Sequence, residues 1–135
     1  MDMDRINRVL KSPAAAALIL LSASFAAYLP ALRSGFVLDD DAMLTENIAL
    51  KENGLYRSWF TTEQDNYWPI TWTSYRLQHK LWGLSPAGYH IINIIIHTAC
   101  TILIWRILIL LKIPAALLSA LIFAVHPVNV ESVAL

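Results

Sequence analysis

Hydrophobic and polar positions along the chain fall into long blocks, and three blocks stay uncharged long enough to bear on a membrane. A helix rises about 1.5 Å per residue and the hydrocarbon of a bilayer is about 30 Å thick, so a span needs roughly 20 apolar residues. Ser12 to Leu32 carries no charge and follows Arg5, Arg8 and Lys11, which predicts a first membrane helix over 12–32. A signal peptide is the alternative reading. Its apolar region would run only about 7–15 residues, so length favours the helix, although Ser24 and Ala26 supply small residues and leave cleavage open. Leu81 to Trp105 is free of Asp, Glu, Lys and Arg, contains the run Ile91 to Ile96, and continues past Arg106 to Leu111. It predicts a second spanning helix over 89–111. The third block, 114–135, opens at Pro114 and is interrupted at Pro127, which removes an amide and clashes with the preceding turn. The uninterrupted part is too short to span. The pattern therefore predicts a helix kinked at Pro127 and continuing, or one broken at membrane depth, where free backbone is tolerated only if buried in protein or facing water.

Between the first two spans, Trp72, Tyr75, His79 and Trp82 recur at helical spacing, with Pro69 near the start and Gly83 at the end as boundary signals. This predicts an amphipathic helix over 69–83 in the membrane interface, its aromatic rings at headgroup level and Arg76 and Lys80 reaching phosphates or water. Packing of the same face on the rest of the protein is equally compatible with the pattern.

Composition supports the membrane reading: 57% of the 135 residues are hydrophobic and 15% are charged, against about a quarter charged in soluble domains. Ten basic and ten acidic residues give no net charge, so no basic surface is available for nucleic acid. The single Cys100 excludes an intramolecular disulfide and a multi-cysteine metal framework. Lys and Arg collect on cytoplasmic flanks. Arg5, Arg8 and Lys11 thus place residues 1–11 inside, Arg106 and Lys112 place the second short turn inside, and 33–88, with seven acidic and five basic residues, faces outward.

Three sets of residues could carry chemistry. Asp39, Asp40 and Asp41 follow the apolar Phe36-Val37-Leu38; adjacent carboxylates repel, which raises at least one pKa and suits a general base, a divalent cation or simply an acidic helix cap. His90, Asn93, His97, Cys100 and Thr101 share one face of the second span, which should turn inward, either for function or for hydrogen bonding between helices. His90 and His97 lie about 10 Å apart along the helix axis, too far to share a metal without strain. His126 and Glu131 bracket the break at Pro127. No phosphate-binding glycine loop, nucleophile elbow or zinc-protease pattern is present.

The segments Phe36-Val37-Leu38-Asp39-Asp40, Tyr67-Trp68-Pro69-Ile70-Thr71-Trp72 and Leu81-Trp82-Gly83-Leu84-Ser85-Pro86-Ala87-Gly88-Tyr89-His90-Ile91-Ile92-Asn93, then His97, then Leu121 to Ala134 with its His126-Pro127-Val128-Asn129-Val130-Glu131 core, resemble the membrane part of the transmembrane and tetratricopeptide-repeat proteins, in the same order. The resemblance implies an all-α membrane protein, with about three transmembrane helices and an interfacial amphipathic segment, like the N-terminal part of a GT-C fold. It also implies a multi-pass glycosyltransferase that uses a polyprenyl-phosphate sugar donor on a protein or other hydroxyl acceptor, in contact with membrane lipids. By that resemblance Asp39 and Asp40 are the catalytic pair. Arg76, His90, His126 and Glu131 are candidates for holding the donor, Asn93 and His97 form a structural polar stripe, and a divalent metal remains open. The family continues into further membrane helices and repeats, so the chain is expected to be an N-terminal fragment, inactive alone, in a bacterial inner membrane with 33–88 outside. A non-catalytic anchor presenting repeats or another partner, and a small transport subunit, are the competing readings.

Overall fold

A computed structural model describes residues 12–35, 54–61 and 67–134, and every regular element among them is helical. The chain divides into two compact units, one formed by residues up to Arg33 together with His90–Leu135, the other by Ser34–Tyr89.

In the first unit, helix α1 covers Pro13–Tyr28 and passes into a 3₁₀ turn, Leu29–Arg33. Pro13 suits the first turn, where its missing amide costs nothing. Pro30 lacks the N–H that would reach the Ala26 carbonyl, which accounts for the tightening after Tyr28. In the second unit, α2 covers Gly54–Phe60 and α3 covers Pro69–Trp82. Helix α4, Pro86–Leu110, begins three residues before the expected Tyr89 because Pro86 supplies a favourable first helical position. It is followed by α5, Ala116–Val125, a 3₁₀ turn, Pro127–Asn129, and α6, Val130–Ala134.

The end of α4 is closed by a left-handed residue. Lys112 has φ 55°, its amide donates to Ile109 at 2.9 Å and the Ile113 amide donates back to Leu108 at 2.9 Å. This paired arrangement satisfies the last carbonyls, and Pro114 then prevents the helix from resuming. A short turn results, and α5 folds back on α1.

The α1–α5 contact rests on small residues. Ala16, Leu20, Ser24 and Tyr28, four apart, are the buried positions of α1, and Ala120 and Ala124 are those of α5. Small side chains let helix backbones approach closely where lipid offers no hydrophobic drive. Trp105 of α4 packs against Ala16, Leu20 and Ala120, and a second cluster joins Tyr28, Ile94 and Val133. The inner face of α4 reads His90, Ile94, His97, Thr98, Thr101 and Trp105, all buried. Cys100, expected on that face, is exposed, and Thr98 takes the inward place. Thr98 and Thr101 donate back to the Ile94 and His97 carbonyls at 2.8 and 2.9 Å, so their hydroxyls are satisfied within the helix.

Pro13–Arg33 and Pro86–Leu110, of 21 and 25 residues, are long and apolar enough to cross a membrane; the pair Ala116–Val125 and Pro127–Val133 is bent by 48° and makes a third if counted as one broken span. The protein is an all-α integral membrane protein.

In the second unit, the Trp59 indole donates to Thr73 Oγ1 at 3.0 Å and the Tyr67 hydroxyl to the Trp59 carbonyl at 2.9 Å, tying α2 to α3. On the α3 face expected at headgroup level, Trp72 is buried, Tyr75, Arg76 and His79 are half-buried and Trp82 is exposed. Ring contacts run from Trp68 to Trp72, to Tyr75, to Tyr89 at centroid separations of 6.1, 6.0 and 6.3 Å. The exposed stripe is Ile70, Leu77 and Leu81. Aromatic contacts within the unit account for the burial of Trp72. Gly83, at φ 58°, takes the turn into α4, and the Tyr89 hydroxyl donates to its carbonyl at 2.8 Å.

Candidate functional site: a broken membrane helix

Four polar residues of the first unit, Tyr28, His97, His126 and Asn129, meet at the interruption between α5 and α6. In an unbroken helix the amide of residue 127 would bond the Phe123 carbonyl and that of residue 128 the Ala124 carbonyl. Pro127 has no amide, and the Val128 amide turns to His126 Nδ1 at 3.2 Å. The Ala124 carbonyl loses its helical donor, and the Phe123 carbonyl keeps only a long bond from the His126 amide, at 3.4 Å. Side chains add to these: Asn129 Nδ2 donates to Phe123 at 2.8 Å, and His97 Nε2, from α4, lies 3.0 Å from the Ala124 carbonyl. The His126 carbonyl accepts from the Asn129 amide at 3.0 Å and from the Tyr28 hydroxyl of α1 at 3.5 Å. An unpaired backbone group in hydrocarbon costs several kcal/mol. Three elements thus supply the donors that let the helix break here.

This bonding fixes proton positions. A carbonyl only accepts, so His97 carries a hydrogen on Nε2. His126 accepts an amide at Nδ1, so that nitrogen is unprotonated. The His97 ring is held between Phe123, stacked at 5.3 Å, and the edge of Tyr28 at 5.2 Å. Beside the break opens a cavity of about 230 Å³, whose polar lining is Asn93, His97, Cys100, Asn129 and Ser132.

The sequence candidates separate under this geometry. Asp39, Asp40 and Asp41 lie outside the described residues. Arg76 belongs to the second unit and is half-buried. His90 is buried on α4, His126 caps the break, and Glu131 is exposed in the first turn of α6. His97 and Asn93 border the cavity. Among the described residues no three His, Cys, Asp or Glu side chains could hold a metal ion. Sequence reasoning missed the roles of Tyr28 and Asn129. The signal was available at Asn129, two residues after a proline that orphans a carbonyl. At Tyr28 none was, since its partner is 98 residues away.

No family profile and no solved structure matches the chain. Curated proteins are. Protein O-mannosyl-transferase F38B6.6 of Caenorhabditis elegans is 31% identical over 133 residues, covering 87% of this chain and 19% of its own length. Protein O-mannosyl-transferase TMTC1 of Mus musculus is 31% identical over 137 residues, 90% of this chain and 14% of its own. TMTC3 of Mus musculus is 27% identical over 127 residues, 85% and 14%. These three relatives are animal proteins and lend no support to a bacterial inner membrane. The chain spans less than a fifth of the length of the relatives it matches. Over 85–90% of its own residues the chain is homologous to that minor part of the TMTC protein O-mannosyl-transferases.

Proposed function

We propose that this chain is part of an integral membrane glycosyltransferase that moves a sugar from a polyprenyl-phosphate donor to a hydroxyl of a protein acceptor. The observation that carries the reading is the match over 85–90% of the chain to proteins named protein O-mannosyl-transferases. Asp39 and Asp40 stand in the segment 33–88, which the flanking basic residues orient to the outer or luminal side. One of the two removes the proton from the acceptor hydroxyl as it attacks the sugar, and the lipid phosphate, already acidic, leaves without needing protonation. Arg76 and the exposed Glu131 are the remaining candidates for contacts to donor and acceptor.

A second reading, a membrane anchor without catalysis, draws support from the break itself. His97, Asn129 and His126 are engaged with backbone groups, so their polarity has a structural cause. The two readings differ at the carboxylates, which an anchor does not need.

The test is deletion of the gene in the source organism, followed by mass spectrometry of hexose-modified Ser and Thr in membrane and secreted proteins. Loss of a set of modified sites, restored by the gene, supports the transferase. An unchanged set of sites contradicts it.

A further inference from the structure

We propose that the side of α3 formed by Ile70, Leu77 and Leu81 rests on the bilayer, its aliphatic side chains below the headgroups and Lys80 beside a lipid phosphate. At about 100° per residue the three fall within about 40° of one another around the helix, and they are 75%, 60% and 62% exposed. The opposite side holds the buried Trp72 and the half-buried Tyr75 and His79. Trp72 and Tyr75 are committed to ring contacts within the unit, so the lipid contact moves to the other side of the helix from the one the sequence pattern suggests. Lys80 is exposed about 80° from Ile70, at the edge of the aliphatic stripe. From there its stem lies along apolar surface while the ammonium reaches the headgroup layer.

The bilayer is the occupant because the chain ties this helix to a membrane span. Helix α3 ends at Trp82, and α4, long and apolar enough to cross, begins at Pro86. The turn between them is tight: the Ser85 amide donates to the Trp82 carbonyl at 3.1 Å, the Tyr89 hydroxyl donates to the Gly83 carbonyl at 2.8 Å, and Gly88 packs against the Trp82 ring. The last turn of α3 therefore stands against the first turn of the span, at the level where that helix enters the hydrocarbon. Leu81 lies there, followed by Leu84, 53% exposed. The contact of Tyr75 with Tyr89, at 6.3 Å between ring centroids, keeps the middle of α3 beside the same turn. Ile70 is about 16 Å from Leu81 along the helix axis, so the stripe covers that length of bilayer surface. Charge agrees, since α3 carries Arg76 and Lys80 and no Asp or Glu, which suits a layer of phosphates.

The experiment uses the whole chain in nanodiscs of phosphatidylcholine and phosphatidylglycerol, with Cys100→Ser and one of Ile70→Cys, Leu77→Cys or Leu81→Cys carrying a nitroxide. Thr71→Cys, exposed and about 100° round the helix from Ile70, is the reference. Collision of each label with oxygen, which concentrates in hydrocarbon, is compared with collision with a water-soluble nickel chelate, and circular dichroism checks that the helices are intact. The oxygen-to-nickel ratio should be several-fold higher at 70, 77 and 81 than at 71. Lys80→Glu should lower the ratio at 77 and 81, and an unchanged ratio would remove the phosphate contact from the proposal. A ratio at 70, 77 and 81 as low as at 71 would overturn the proposal by placing the stripe in water. Weak collision with both reagents at the three positions would overturn it by showing the stripe covered by protein, and a high ratio at all four by showing that no one side of the helix meets the lipid.

Discussion

His97 Nε2 lies 3.0 Å from the carbonyl oxygen of Ala124, 27 residues further along the chain, and takes the place the Val128 amide would occupy in a continuous helix. A side chain from one membrane helix thereby completes the backbone of another, and the 48° bend at Pro127 is held from outside the bent helix as well as from within.

Removing that donor should loosen the bend. His97→Phe keeps a ring between Tyr28 and Phe123 but leaves the Ala124 carbonyl without its partner, for a loss of about 1–3 kcal/mol. With a ¹³C label on the Ala124 carbonyl, its amide infrared band should move to higher frequency in His97→Phe and return toward the parent position in His97→Gln, which retains an N–H. An unmoved band would show that His97 does not hold this carbonyl.

Gly88 sets the junction between α3 and α4. A Cβ there would stand 2.5 Å from both Cγ and Cδ2 of Trp82 and 3.0 Å from its Cβ, atoms too close to the backbone to swing aside. Gly88→Ala should therefore destabilise the second unit by about 1–3 kcal/mol, the usual cost of overpacking. Trp82→Ala should recover part of that loss in the double variant. Denaturant unfolding followed by tryptophan fluorescence measures the cycle, and strict additivity of the two substitutions would contradict the contact.

Orientation follows from the basic flanks. With Cys100 replaced by Ser, a cysteine introduced at the exposed Tyr56 of α2 should react with a membrane-impermeant maleimide in intact cells or sealed, outward-facing vesicles. One at Ile113 should react only after permeabilisation. The reverse pattern would invert the topology.

Much of the fold was legible because its causes are local. Pro69 and Pro127 mark a helix start and a break, and the uncharged runs give the spans their length, whereas the same pattern places at Tyr89 a start that lies at Pro86. The inward face of α4 was legible in part: helical spacing picks out His90, His97 and Thr101, but it cannot choose between Thr98 and Cys100, which flank the same face. The orientation of α3 was not legible, since Trp72 serves equally well in a headgroup layer or in the stack with Trp68 and Tyr75. Nor was the break's bonding, because Tyr28, His97 and Ala124 meet only through tertiary packing.

The assignment of chemistry to the acidic segment is tested most directly at Asp39, Asp40 and Asp41, in the deletion strain complemented with each Asn variant. Modified-site occupancy should be read against the amount of inserted protein. Asp39→Asn and Asp40→Asn should each lower the rate of transfer by about 10²-fold or more, the scale of losing a general base, and Asp41→Asn should leave it near the parent value. Full transfer by both Asp39→Asn and Asp40→Asn, at normal membrane levels, would contradict the catalytic role and favour the anchor.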